Sequence, residues 1–199
     1  IKWYRKSCGI CLKKKPELCG SSKSEIQDME ILKTATDWAK AEVFSSTFFI
    51  LFGIGFVAVS IGFWQLGKTD MARAYIIPTL IAGALLLTIG VGLLLTNRSR
   101  ITQFEKAYNS DAPAFVQSEL ARAESTLKEY KNVVFTAVPL IIAACALVII
   151  FLNTPVWRAS MITTIAMLVV ILLVDGTAHA RIETYNEQLI SFCILNLQQ

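Results

Sequence analysis

The sequence is short of charge where it is most apolar. Four stretches, residues 43–66, 74–95, 133–152 and 156–174, contain no Asp, Glu, His or Lys, and the one Arg among them, Arg158, lies near the start of the fourth. Each is about 19 to 24 residues long, which at a helical rise of about 1.5 Å per residue matches the ~30 Å hydrocarbon core of a bilayer. The alternative is a set of buried helices in a soluble protein, but those are usually interrupted by polar residues. The sequence therefore predicts four transmembrane helices.

Signatures of chemistry are also missing. The sequence has no nucleophile elbow, P-loop, dinucleotide fingerprint or His-Glu-x-x-His motif, and its single histidine excludes a two-histidine metal motif. Proton-coupled carriers and voltage sensors place ionisable residues inside the bilayer, and the interiors of these stretches have none. These absences argue against a pump and against an enzyme, and no cofactor is expected.

Five cysteines do not make a disulfide framework. Cys8, Cys11 and Cys19 have the spacing of half a zinc knuckle, but a structural zinc site needs four ligands and no fourth Cys or His lies nearby. Cys193 is predicted to be an ordinary apolar residue in a reducing compartment. We expect residues 1–28 to be a basic, disordered arm whose removal leaves folding intact.

Lysine and arginine are distributed unevenly about the apolar stretches. Of the 19, 16 precede the first stretch, lie between the second and third or follow the fourth, whereas 3, Lys68, Arg73 and Arg158, lie in or just beside the two short connections. The positive-inside rule then predicts that both termini and the middle segment are cytoplasmic. The net charge of +4 needs no nucleic-acid partner, since topology and attraction to anionic lipid account for it.

The short connections predict the fold class. Residues 67–73 join the first two spans and residues 153–156 the last two, so the chain is predicted to be an all-α integral membrane protein of two helical hairpins. The spans are predicted to continue as helices into the cytoplasm, and Asp111 just ahead of Pro113 is predicted to cap one of them. The predicted organisation is an arm at 1–28, a first hairpin with its extensions at 29–110, a second at 111–190 and a tail at 191–199.

An apolar stripe follows the cytoplasmic extensions at helical spacing. We predict that it packs against the helix around residues 31–38 to form a stalk beneath the membrane. The stripe comprises Ile101, Phe104, Phe115, Leu120, Leu127 and Tyr130.

The two hairpins also resemble each other. The segment KAEVFSS from Lys40, where the first span starts, matches KNVVFTA from Lys131, where the third starts, and SRITQF after the second span matches ARIETY after the fourth. Because both hairpins start on the same side, the pattern predicts a tandem, parallel repeat about an axis along the membrane normal. Convergence is the alternative, since Lys before a span and Arg after it are typical of any inner end.

Small residues at four-residue spacing let membrane helices approach closely. This pattern predicts helix-packing faces at Ala58, Gly62, Ala84, Thr88 and Gly92. Two prolines, Pro78 near the start of the second span and Pro139 inside the third, are predicted to kink their helices.

Asp175, His179, Glu183 and Glu187 follow the fourth span at steps of four. Each step of four residues rotates the side chain by about 40° beyond a full helical turn, so only neighbouring members of the series can bind the same metal ion. A metal site using Asp175, His179 and Glu183 is one interpretation. The other, which we favour, is a polar helix leaving the membrane, with no catalytic or metal site.

Three functions remain open at this point. We favour an accessory or interaction protein that contacts the bilayer and either a membrane-protein partner or another copy of itself, through the packing faces and the stalk. A small homo-oligomeric ion channel is the first alternative, because the spans contain hydroxyl residues, glycines and Pro139. A metal-binding membrane enzyme using the acidic stripe is the second.

Overall fold

The computed structural model describes residues 23–195, with side chains from residue 30 to residue 194 except at position 113. Every element in this range is helical. The elements are α1 (Lys23–Leu66), α2 (Asp70–Ala74), α3 (Ile76–Ser110), α4 (Ala112–Glu129), a π-helix (Tyr130–Ala137), α5 (Val138–Phe151) and α6 (Pro155–Leu195). Helix α1 thus begins inside the stretch predicted to be the basic arm. The three N-terminal cysteines and the end of the tail lie outside the described residues.

Four helical segments are long and apolar enough to cross a membrane. They are Glu30–Leu66, Asp70–Ser110, Ala114–Phe151 and Pro155–Ile194. The prediction of an all-helical chain with four membrane-spanning candidates is confirmed, and the structure is that of an integral, multi-pass membrane protein. Each segment has 37 to 41 residues, about twice the length that the hydrocarbon core requires.

The chain divides into two compact units. We call the first the polar unit; its described residues are 23–41, Asn97–Lys128 and 179–195. The second, the apolar unit, comprises Glu42–Thr96 and Glu129–Ala178 and contains the four charge-poor stretches.

Close packing of α1 on α3 organises the apolar unit. A Cβ at Gly83 would lie 2.7 Å from Val57 Cγ2 and 2.9 Å from the Gly53 carbonyl oxygen, so only glycine fits there. The Ser60 hydroxyl donates to the Ile76 carbonyl across the same interface at 2.8 Å. Helix α6 completes a core cluster of Phe49, Leu86, Val170 and Val174.

The predicted packing face is not the one that the chain uses internally. Ala58, Ala84, Thr88 and Gly92 are exposed and Gly62 is half-buried. Among the described residues, no atom lies within 4 Å of a Cβ built at Gly62 or Gly92. The close approaches are instead at Gly53, Gly83 and Gly90. Four-residue spacing occurs on more than one face of a helix, and side-chain volume on the neighbouring helix decides which face packs.

The two prolines have different local effects. Pro78 is the third residue of α3, where a missing N–H costs no helical hydrogen bond, so it marks the beginning of α3 rather than a kink. Pro139 is the second residue of α5, which begins directly after the π-helix. A proline ring clashes with the carbonyl four residues earlier. The wider turn of the π-helix relieves that clash. The Val138 N–H donates to the Val133 carbonyl, and the Thr136 hydroxyl donates to the Lys131 carbonyl, each five residues earlier.

Most hydroxyls of the apolar unit bond to backbone carbonyls. Ser46, Thr47, Thr88, Thr136 and Ser160 each donate to a carbonyl four or five residues earlier in their own helix. A hydroxyl bonded in this way is less available to replace the hydration shell of an ion. The hydroxyls therefore give the channel interpretation no specific support.

Candidate functional site in the polar unit

Helices α3 and α4 join through an aromatic cluster in the polar unit. The Phe115 ring meets Phe104 at 5.5 Å and Tyr108 at 5.7 Å between centroids, both edge to face. The Ala114 N–H donates to Asp111 Oδ1 at 3.0 Å, which confirms that Asp111 caps α4. The cap and the ring contacts together hold α4 against the end of α3.

The residues predicted to form the stalk are divided between the two units. Phe104, Phe115 and Leu120 are buried and Ile101 and Leu127 half-buried, all in the polar unit, as are the buried Ile31 and Trp38 of α1. Tyr130 lies in the π-helix, which belongs to the apolar unit.

A buried ion pair lies on α4. The Glu119 carboxylate accepts from Arg122 Nε at 3.1 Å and also from Arg122 Nη2, and its side chain is only 8% exposed. Both carboxylate oxygens are thus engaged by one guanidinium, the bidentate geometry that makes such pairs strong. Removing either partner would leave an uncompensated charge in a place that water scarcely reaches.

Helices α1 and α6 meet this ion pair through two aromatic residues. The Tyr185 hydroxyl donates to Glu119 Oε2 at 3.0 Å. The Arg122 guanidinium carbon lies 4.4 Å from the centre of the Trp38 ring. Burial, and then the neighbouring Glu119 charge, raise the pKa of the Tyr185 phenol far above its ordinary value, with Arg122 opposing. The four side chains form one network, which we call the Glu119 cluster.

Sequence reasoning did not find the Glu119 cluster. The sequence places Trp38 at the end of the helix predicted to pack in the stalk and Tyr185 in the repeated segment ARIETY, but it predicts no contact between them. The signal that was present is the three-residue spacing of Glu119 and Arg122 on the apolar side of α4, because a charged pair on an otherwise buried stripe is unusual.

A polar groove runs between α1 and α6 in the same unit. It consists of two adjoining hollows of about 450 and 370 Å³. Thr34, Thr184 and Gln188 line both of them. The first is further lined by Asp37, Trp38, Ala180, Arg181 and Tyr185, and the second by Glu30, Ile31, Glu187, Ser191 and Phe192.

The floor and rim of this groove differ in chemistry. Ile31, Trp38, Tyr185 and Phe192 are buried and supply an apolar floor. The indole Nε1 of Trp38 has no hydrogen-bond partner among the described residues, although the residue is 9% exposed. A buried donor without an acceptor costs roughly 1–3 kcal/mol.

The acidic stripe after the fourth span lies on α6. No group of three or more His, Cys, Asp or Glu side chains within residues 23–195 is placed to hold a metal ion. Glu183 and Glu187 are exposed, and Asp175 and His179 are half-buried.

The two cysteines in the described range differ. Cys145 is buried with a free thiol. Cys193 is buried too but takes part in a disulfide bond, so the prediction that it is an ordinary apolar residue is wrong. Sequence spacing alone does not reveal which cysteine side chains a fold brings together.

No protein-family model matches this chain, and neither the curated proteins nor the solved structures gave a significant match. The class of the protein therefore follows from its own architecture: a multi-pass membrane protein with a polar helical unit.

Proposed function

We propose that this protein is an accessory or interaction protein of the membrane, and that the polar unit is its recognition module. The observation that carries the proposal is the groove between α1 and α6, with its buried floor and polar rim. A concave surface with an apolar base and a few polar groups is the usual form of a binding site. The Glu119 cluster supports it by holding α1, α4 and α6 together, because recognition sites are more precise on rigid elements.

The exposed small residues of α3 offer a second surface. Ala84, Thr88 and Gly92 lie on a face that the chain does not pack internally, with open space at Gly92 among the described residues. A partner helix could approach the α3 backbone closely there. The groove would then select the partner and this face would dock it.

We further propose that the polar unit is cytoplasmic and that the two hairpins are a tandem repeat. The distribution of Lys and Arg supports the orientation, whereas the disulfide at Cys193 weighs against a reducing compartment. The matched residues Phe104 and Tyr185, which follow the second and fourth spans, are both buried in the polar unit, and this supports the repeat. The starts of the hairpins differ, since one is α-helical and the other a π-helix.

Site-specific photo-crosslinking in native membranes tests the proposed function. A photoreactive residue at the exposed Thr184 lies in the groove, and one at the exposed Glu105 lies elsewhere in the polar unit. We expect a discrete adduct with a different protein from position 184 and none from position 105. An adduct only with a second copy of this chain would indicate self-association, which the accessory and the channel interpretations share, and would contradict recognition of a different protein. Absence of any adduct from folded, inserted protein would contradict the accessory role.

A further inference from the structure

We propose that the groove between α1 and α6 binds a basic peptide segment of the partner, which rests on the proposed function and adds the chemistry of what is recognised. The groove extends along α1 from Glu30 to Trp38 and along α6 from Ala180 to Phe192. At about 1.5 Å per residue these edges are roughly 12 and 18 Å long. A peptide helix of two to three turns matches that length.

The acidic residues at the rim of the groove favour an occupant that carries positive charge. Glu30, Asp37 and Glu187 are exposed acidic residues of the lining, and Arg181 is the one basic residue in it. Asp37 also lies 3.8 Å from Lys40, but both side chains are more than half exposed. Lys40 does not line the groove, and Glu30 and Glu187 are not part of this pair, so the rim keeps its acidic character. A phosphate-bearing ligand would meet repulsion here, whereas Lys and Arg side chains would be attracted.

The floor of the groove adds a requirement beyond charge. One face of the Trp38 ring stacks on Tyr185, and the Arg122 guanidinium also lies over the ring. The Glu119 cluster thus holds the ring in place, and the buried Ile31 and Phe192 lie with it beneath the acidic rim. A peptide that carries apolar residues beside its basic ones would contact this floor. Binding should therefore favour an amphipathic basic peptide.

Peptide binding to the full chain in nanodiscs of zwitterionic lipid tests this inference. The probe is a labelled amphipathic peptide of three helical turns with Lys and Gln on one face, and the control probe has Glu at the Lys positions. Fluorescence anisotropy should show saturable binding of the Lys peptide, weakening as salt is raised. The Glu peptide should bind at least tenfold more weakly.

Two matched pairs of substitutions locate the binding. Glu30→Lys with Glu187→Lys should weaken the Lys peptide at least tenfold. Glu105→Lys with Glu183→Lys makes the same charge change at exposed positions outside the groove lining and should stay within about twofold of wild type. Equal effects of the two charge variants would show attraction to surface charge alone and overturn the inference.

The remaining outcomes separate this inference from the proposed function. If neither peptide binds while Thr184 still forms an adduct with another protein, the basic specificity is wrong and the accessory role stands. If a chain lacking residues 1–22 binds the Lys peptide and the full chain does not, the basic N-terminal segment of the chain itself is the occupant, which overturns recognition of a partner segment. Binding by the full chain with the stated variant effects supports the proposal.

Discussion

The rings of Trp38 and Tyr185 stack with their centroids 5.2 Å apart and their planes inclined by 14°. This contact joins α1 to α6 inside the polar unit, and its two members reach Arg122 and Glu119 on α4. Three helices that are far apart in the sequence thus share one network, which places both walls of the groove.

Breaking the buried ion pair should destabilise the polar unit. Arg122→Ala leaves Glu119 charged and without its partner, and the expected cost is about 3–5 kcal/mol. Replacing both residues, as Glu119→Gln with Arg122→Met, removes both charges and should cost less than the single change. Chemical unfolding of the purified protein in detergent, followed by circular dichroism, measures both values. A double variant less stable than Arg122→Ala would contradict this account.

Tyr185 should remain protonated at high pH. Its pKa is raised in the folded protein by burial and by Glu119, while an unfolded tyrosine ionises near pH 10. The stability contributed by this group is therefore complete below about pH 10 and decreases as the pH rises above it. Spectrophotometric titration to about pH 11 should show the same gain of phenolate absorbance in wild type and Tyr185→Phe. A smaller gain in the variant would show that Tyr185 ionises normally.

Features that depend on neighbouring residues in the sequence were predicted, whereas contacts between distant segments were not. The four spans follow from length and apolarity, which are local properties, and the Asp111 cap follows from a three-residue motif. The Glu119 cluster was not predicted, because the environment of Glu119 depends on the arrival of Trp38 and Tyr185 from distant segments. The disulfide at Cys193 was missed for the same reason.

Alanine substitutions at two glycines should distinguish a packed helix interface from an exposed helix surface. Gly83→Ala places a methyl group 2.9 Å from the Gly53 carbonyl oxygen, which must move, and overpacking of this kind costs about 1–3 kcal/mol. Gly92→Ala meets no described atom within 4 Å and should be neutral or stabilising by up to about 1 kcal/mol. Thermal unfolding in detergent compares the two. Equal losses of stability would contradict the assigned α1–α3 interface.

The orientation can be measured with an impermeant thiol reagent. Lys68 lies in the connection between the first two spans and Lys106 on α3 in the polar unit, and both are exposed. If the polar unit is cytoplasmic, Lys68→Cys should gain label in intact cells and Lys106→Cys only after permeabilisation. Labelling of the unsubstituted chain is the background to subtract. The reverse pattern would place the polar unit outside.

The two described cysteines should differ in redox behaviour. Cys145 has a free thiol and Cys193 is disulfide-bonded. Alkylation of unfolded protein without reductant, followed by peptide mass spectrometry, should modify Cys145 but not Cys193. Prior reduction should expose both. Direct alkylation of Cys193 in protein purified without reductant would show that the disulfide does not form, and would remove the one observation that opposes a cytoplasmic polar unit.

The turns at the ends of the hairpins also have a practical consequence. Helix α1 ends at Leu66 and α3 begins at Ile76 with the five-residue α2 between them, while α5 ends at Phe151 and α6 begins at Pro155. If the polar unit is cytoplasmic, as proposed, a protease or an antibody supplied outside the cell would meet only these turns from residues 23–195. Intact cells should therefore show little shaving or staining of this region, and an epitope tag for detection there requires that one of the turns be lengthened.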